Sequence, residues 1–258
     1  MKALVDLHNH SCLSPCASLE ESPGLLARLA RKRGLDLVAL TDHNSALNCP
    51  AFAEACSREG IAPLFGIEAN SVEEVHVLCL FGAVDEALAF GEFLRGFLPD
   101  LPYDPDKLGD QVVVDADENV LDQIGYYLGA ALSLGFDELC VQAASRGALV
   151  IPAHVDRPMF SVSSQLGFLP PGPYDAVESI REPGPHLRLG LAAISGSDSH
   201  YPEHVARRPT LAELPDGALD SSSSRRLVEA LRATLRAGLV RPSWALAADA
   251  SRAEGASP

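Results

Sequence analysis

The feature that most limits how this chain can fold is a recurring set of histidines and carboxylates at the ends of short apolar runs. Leu4-Val5-Asp6-Leu7 leads into His8-Asn9-His10-Ser11. The same arrangement returns at Thr41-Asp42-His43-Asn44, Gly66-Ile67-Glu68, Val75-His76-Val77, Pro152-Ala153-His154 and Gly196-Ser197-Asp198-Ser199-His200. Six of the eight histidines fall in these clusters. Imidazole and carboxylate donors at strand ends describe a borderline-to-hard divalent metal site, with more than one metal. A closed ring of strands would converge those ends at one mouth, so a barrel is favoured over an open sheet.

Between the clusters the sequence alternates between strand-like and helical segments. Residues 3–8 read as a strand, and Ser22-Pro23 opens a helix from Gly24 to Arg33 with Leu25, Leu26 and Leu29 as its apolar stripe. Strands are expected at 35–40, 61–67, 75–81, 149–151, 176–178 and 191–194, and helices at 50–59, 85–98 and 137–146. This βαβα order of short buried strands points to a parallel sheet. Residues 100–136 break the rhythm as an acidic insertion holding a small hairpin or cap. Within it, Asp115-Ala116-Asp117-Glu118-Asn119 opens like a calcium loop but lacks the sixth-position glycine and the closing glutamate, and reads as a solvated turn. Ser221–Ser224 would cap a basic amphipathic helix to about Ala237, and residues from Ala245 read as a frayed tail. The expected organisation is one barrel domain over 1–240, with its insertion at about 100–136, and a tail over 241–258.

A chain of 258 residues is long enough to bury the core of one barrel. Its formal charge of −15 argues against a long polyanion wrapped on the surface, so long nucleic acid is not the expected partner. A small phosphorylated ligand held by metals and arginines is compatible. No apolar run approaches the roughly 18 residues of a membrane span. Met1-Lys2-Ala3-Leu4-Val5-Asp6 places a carboxylate where a signal peptide needs apolar residues, so a cytoplasmic location is expected. Cys12, Cys16, Cys49, Cys56, Cys79 and Cys140 are accordingly read as thiols.

Taken together, HNHS, TDHN, GIE, VH, AH and GSDSH resemble the PHP (polymerase and histidinol phosphatase) family of metal-dependent phosphoesterases, over residue 4 to about 210. SCLSPCA and AHVDRP are most similar to a bacterial branch of it. The resemblance implies an α/β fold, a distorted (β/α)7 TIM-like barrel, with two to three divalent ions (Zn, Mn or Fe) at the C-terminal mouth of the strands. It implies that His8, His10, Glu68 and Asp198 hold the first metal, that Glu68 bridges to a second shared with His76 and His154, and that His43 and His200 serve a third. A hydroxide held between bridged cations would then attack a phosphate ester, with Glu68 and Asp198 as the central carboxylates. Asp42 is read as a partner of a ligand rather than a ligand.

The family pattern runs His-x-His-Ser/Thr-x-x-Ser-Asp-Gly, and here Pro15 stands in place of the Asp and Cys16 in place of the Gly. The third site is therefore expected to be weakened, absent or rebuilt with Cys16. Cys12, Cys16 and Cys49 lie in the loops after the first two ligand strands, either clustered near the mouth or as separate buried thiols. Arg157 and Arg207 are the candidate catalytic arginines for phosphate, with Arg208 beside them and Arg181 weaker. His186 and His204 read as surface residues.

The expected substrate is a small phosphomonoester: a nucleotide, a short oligonucleotide end or a phosphorylated metabolite. Two alternatives stand beside it. An amidohydrolase-like metallohydrolase often bridges its metals with a carboxylated lysine, but Lys2, Lys32 and Lys107 are the only lysines and none ends a ligand-bearing strand. A non-catalytic metal-binding module of the same family would be expected to have lost several ligands, where this chain has lost one.

Overall fold

The computed structural model describes residues 1–220 and 224–248. The chain opens with β1 (Lys2–Asp6), α1 (Pro23–Lys32), β2 (Leu37–His43), α2 (Cys49–Glu59), β3 (Ala62–Asn70), β4 (His76–Phe81) and α3 (Val84–Arg95). An excursion follows, with the short α4 (Pro105–Leu108) and a hairpin of β5 (Val112–Val114) and β6 (Val120–Gln123). The remainder is α5 (Phe136–Ser145), β7 (Leu149–Pro152), α6 (Val162–Gln165), β8 (Val177–Glu178), β9 (Ala193–Ile194), β10 (Thr210–Glu213), α7 (Ser224–Arg236) and β11 (Val240–Pro242). The helix signals act as their chemistry requires. The Ser22 hydroxyl accepts from the Leu25 amide ahead of Pro23, and Gly60 ends α2 in the left-handed conformation at φ 64°.

Seven strands form one curled sheet in the order β11-β10-β1-β2-β3-β4-β7. β1, β2 and β3 are parallel, but β4 is antiparallel to both β3 and β7. The expected all-parallel sheet is therefore corrected to a mixed one. Only residues 71–75 separate β3 from β4, too few for a parallel crossover, which needs a dozen or more. The two strands must therefore form a hairpin.

The ring closes through the parallel pair β8–β9. On one side, the Asp175 amide donates to Val150 O and the Val155 amide to Glu178 O. On the other, the Asp198 amide donates to His8 O and the His10 amide to Ser199 O. β1 is thus forked along one edge: its lower half pairs with β10, and its continuation pairs with residues 198–199. The result is the α/β fold expected, a distorted seven-stranded barrel with β10 and β11 as an appended antiparallel flap. That flap was not legible in the sequence.

Strand alternation sorts the core into two shells. Ala3, Val5, Leu37, Ala39, Leu64, Leu78, Leu80, Leu149 and Ile151 fill the barrel interior, sealed below by Leu227, Leu231 and Leu235 of α7. Val38, Leu40, Phe65, Val77, Cys79 and Phe81 face outward under Leu26, Phe52, Phe90 and Phe136 from the helices. The hairpin expected in the insertion is present, and its Asp115 carboxylate closes a turn by accepting from the amides of Asp117 and Asn119. Part of the segment expected as a tail is structured. Val240–Pro242 is a sheet strand, residues 243–248 are helical and Trp244 packs on the outer core. Residues 221–223 of the expected Ser221–Ser224 cap, and residues 249–258, lie outside the described residues. Among those described, no helix is long and apolar enough to cross a membrane.

Candidate metal centre

The same alternation that packs the barrel also delivers its upper residues to the mouth. His43 continues the inward series Leu37-Ala39-Thr41, Glu68 continues Ala62-Leu64-Gly66, and His76 heads the series with Leu78 and Leu80. Gly66 lies below Glu68, where a Cβ would come within 2.6 Å of Leu80 Cδ2 and 2.9 Å of Cys79 O. His8 and His10 follow the end of β1 rather than lying within it, yet their Nε2 atoms approach to 3.2 Å. His154 and Asp198 sit where the chain turns out of β7 and past β9, both with positive φ (29° and 48°).

Five imidazoles surround the Glu68 carboxylate. Oε1 lies 3.2 Å from His8 Nε2, 2.9 Å from His76 Nδ1 and 3.0 Å from His154 Nε2. Oε2 lies 3.2 Å from both His10 Nε2 and His43 Nδ1. Asp198 Oδ1 lies 3.4 Å from His8 Nε2, 3.3 Å from His10 Nε2 and 3.4 Å from His200 Nδ1. Three overlapping sets have donor atoms within 4.8 Å of one another: His8–His10–Glu68–Asp198, His43–Glu68–His76 and His10–His43–His200. All eight residues picked out as ligands thus meet in one cluster. His43 differs from expectation in reaching Glu68 and His76 as well as His200.

The electrostatics are set by the cluster's own carboxylates and imidazoles. Burial alone would lower the pKa of His8, yet Glu178, Glu68 and Asp198 hold it well above its ordinary value. His10, buried but hydrogen-bonded to Asp198 and Glu68, is pushed up to about 9. Glu68 lies well below the usual carboxylate range, since His76, His8 and His43 outweigh its desolvation. His43 and His200 go the other way under burial and neighbouring imidazoles, His200 to about 4. His154 Nδ1 is buried without a hydrogen-bond partner. Clustered imidazoles, two depressed carboxylates and an unpartnered ring nitrogen fit divalent cations.

A second layer orients the donors. Glu178 was legible in the sequence only as a strand residue, yet its carboxylate accepts from His8 Nδ1 (2.9 Å) and from the His154 amide (2.9 Å). This leaves His8 Nε2 for the cluster. Asp42 serves His10 indirectly. The Ser14 hydroxyl donates to Asp42 Oδ1 (2.7 Å) and so accepts from His10 Nδ1 (3.0 Å). Glu178 sits on β8, which pairs with β9 rather than with the His8 strand, and no local motif marks it.

The arginines separate. Arg157 lines the mouth and donates to Asp198 Oδ2 at 2.6 Å. Arg207, expected at the phosphate, instead gives its guanidinium to Ser197 O, and Arg208 gives its own to Gly196 O and Ser197 O. Both brace the loop carrying Asp198. Arg181 is exposed beside Asp156, and His204 packs edge-on against Tyr201. Of the three thiols near the first loops, Cys12 and Cys49 are buried, while Cys16 is exposed in the mouth with Sγ 3.0 Å from His200 Nε2. The mouth encloses about 210 Å³, with Pro15, Tyr127, Gly129 and Phe160 completing its wall. Tyr127 and Gly129 come from the insertion, and Phe160 stacks on His76 at 4.9 Å.

A family model for the PHP domain matches residues 6–142, more than half of the chain. Among curated proteins, a 70-residue stretch is 40% identical to the PolC-type DNA polymerase III of Streptococcus suis, and 71 residues are 38% identical to that of Thermotoga petrophila. These stretches are 27% and 28% of this chain and 5% of each polymerase. Among solved structures, the lesion-specific endonuclease EndoQ of Pyrococcus furiosus superposes with a TM-score of 0.65 at 18% identity, over 94% of this chain and 58% of that one. A candidate metal-dependent phosphoesterase of Bifidobacterium adolescentis gives 0.51 at 20% identity, over 76% of this chain and 87% of that one. At these identities the structural likeness establishes the fold.

Proposed function

Because this chain belongs to the PHP family, we propose that it is a metal-dependent phosphoesterase acting on a small phosphomonoester. The observation that carries this reading is the single buried carboxylate, Glu68, ringed by His8, His10, His43, His76 and His154. A carboxylate with imidazoles on both oxygens is built to bridge two cations. Bound there, divalent ions would act as Lewis acids on phosphoryl oxygens and make water acidic enough to serve as nucleophile.

The chain's own residues do the rest. His8, His10, Glu68 and Asp198 would hold one ion, and Glu68 with His76 and His154 its neighbour, while His43 stands between that neighbour and His200. Glu178 and the Ser14–Asp42 pair fix the tautomers of His8 and His10. Among the described residues, Arg157 is the one arginine lining the mouth, and its planar fork suits two phosphate oxygens once it exchanges Asp198 for substrate. Tyr127 and Phe160 wall the mouth.

Substrate size follows from the space and the charge. About 210 Å³ is below the roughly 300–1,000 Å³ of ordinary ligand pockets, enough for a phosphate and the first part of its alcohol. The formal charge of −15 disfavours a long polyanion. A panel of aryl phosphate, nucleoside monophosphate, sugar phosphate and an abasic-site DNA duplex, each with Mn²⁺ against metal-stripped protein, tests the proposal. Metal-dependent turnover of the monoesters with the duplex left intact is expected. Cleavage of the duplex alone, or no metal-dependent turnover at all, would overturn it.

A further inference from the structure

Where the family pattern has an aspartate, this chain has Pro15, which has no side-chain donor, and the next residue is Cys16. We propose that Cys16 supplies a sulfur ligand on the His43–His200 side of the cluster, making that position a thiophilic cation site. The inference rests on the reading of the mouth as a metal centre and adds to it the identity of one ligand and the class of ion it selects.

Four observations carry it. First, Cys12, Cys49, Cys56, Cys79 and Cys140 are all buried, and only Cys16 stands in the mouth. Second, Sγ lies 3.0 Å from His200 Nε2. A zinc ion bound to both at about 2.3 Å and 2.0–2.1 Å would hold them about 3.5 Å apart at a tetrahedral angle, so a small rotation of the thiol admits the ion. Third, the buried His43 shares the mouth with Cys16 and His200. The donors of His10, His43 and His200 also lie within 4.8 Å of one another. Fourth, the loop presenting the thiol is pinned on both flanks. The Ser18 amide donates to His200 O at 2.8 Å, and Gly109 of the insertion presses against Pro15 O so closely that a Cβ there would lie 1.9 Å from it. Cys16 is therefore held at His200 by backbone rather than by a flexible side chain.

The chemistry then decides the ion. Two neutral imidazoles leave a divalent charge uncompensated, whereas a thiolate supplies one negative charge and a soft donor. Binding releases the thiol proton to solvent as the S–metal bond forms. Such a set favours Zn²⁺, Co²⁺ or Cd²⁺ over Mg²⁺ and Mn²⁺, which prefer oxygen.

Titration of the metal-stripped full chain with Co²⁺ tests this by absorbance. The wild type should show visible d–d bands from the first equivalents and a near-ultraviolet sulfur-to-cobalt charge-transfer band as the last site fills. Cys16→Ser and Cys16→Ala should lose the charge-transfer band, keep the d–d bands and bind the last Zn²⁺ at least about tenfold more weakly. Cys12→Ser should behave as wild type. If the wild type shows d–d bands but no charge-transfer band, or if the band survives in Cys16→Ser, the sulfur ligand is refuted while the metal centre stands. If no cobalt binds at all, both readings fall.

Discussion

The upper and lower halves of the barrel interior are built on the same strands with the same alternation, yet they do opposite things. Below, Leu37, Ala39, Leu64, Leu78, Leu80, Leu149 and Ile151 remove apolar surface from water, sealed by α7. Above, His43, Glu68 and His76 occupy the next inward positions, equally buried; neighbouring imidazoles offset the desolvation of the Glu68 carboxylate, whereas burial holds His43 and His76 below the ordinary imidazole value. The lower half holds the fold together; the upper half leaves it with a knot of charge that cations would relieve. The two should therefore be separable by experiment.

The sharpest break is Glu68→Gln. Turnover of an aryl phosphate with Mn²⁺ should fall by at least about 100-fold, while the circular dichroism spectrum of metal-stripped protein stays near wild type. Near wild-type turnover would sink the bridging role. The mirror experiment is Leu78→Ala, which should cost about 2–5 kcal/mol of unfolding free energy and leave turnover per folded molecule nearly intact. If its main effect were on turnover, the two halves would not be separable.

Glu178→Gln sits between them. Since it orients His8 and anchors the His154 amide, ion affinity should weaken by roughly 10–100-fold with little change in fold. An unchanged Zn²⁺ isotherm would contradict the tautomer argument.

Acidity sharpens the comparison further. In metal-free protein His10 titrates at about 9, above its ordinary 6.5, so its stabilising contribution is full below pH 6.5 and lost as pH rises through about 9. Glu68 and Asp198 are depressed, so theirs is present above the ordinary carboxylate range and lost as pH falls through their lowered values. Because cations need unprotonated ligands, the difference in melting temperature between Zn²⁺-loaded and stripped protein should widen from pH 6.5 to 9. A constant difference would count against ligation by His10.

The smallest effect expected is at Glu21, a carboxylate buried beside the first loop with neither oxygen hydrogen-bonded, which burial pushes up to about 7. Its raised pKa makes the folded state less favoured as pH climbs from about 4.5 through 7. Glu21→Gln should thus stabilise the chain by about 1–3 kcal/mol at pH 8 and far less at pH 4. Equal effects at both pH values would show that the charge is not the cause.

The ligands were legible because each lies at one end of an apolar run, His76 at the start of the antiparallel β4 and the others past the end of theirs, and a ring of strands brings such ends together at one mouth. Their companions were harder to read. Glu178 lies in a two-residue strand with no motif around it, and nothing local marks its reach to His8. Arg207 was misplaced because proximity in sequence to His200 does not say which way a guanidinium turns, and the carbonyls of the Asp198 loop were nearer than the mouth. The reversal of β4 was available in principle from the five residues between β3 and β4, a matter of chain length rather than composition. β10 and β11 were missed because β10 pairs along the lower part of β1 and β11 along β10, far from any ligand signal.

The seam of the barrel carries one last consequence. Between β7 and β1 the wall is held by the short β8–β9 pair and a few amide bonds, including Asp198 to His8 and Val155 to Glu178. His8 and Asp198, two donors of one set, stand on opposite sides of that seam. An ion bound by both would act as a rivet, and the amides of His10, Val155 and Asp198 would exchange with deuterium through a local opening that the ion suppresses. The weakest stretch of the wall would then report occupancy of the centre, amide by amide, with no substrate present.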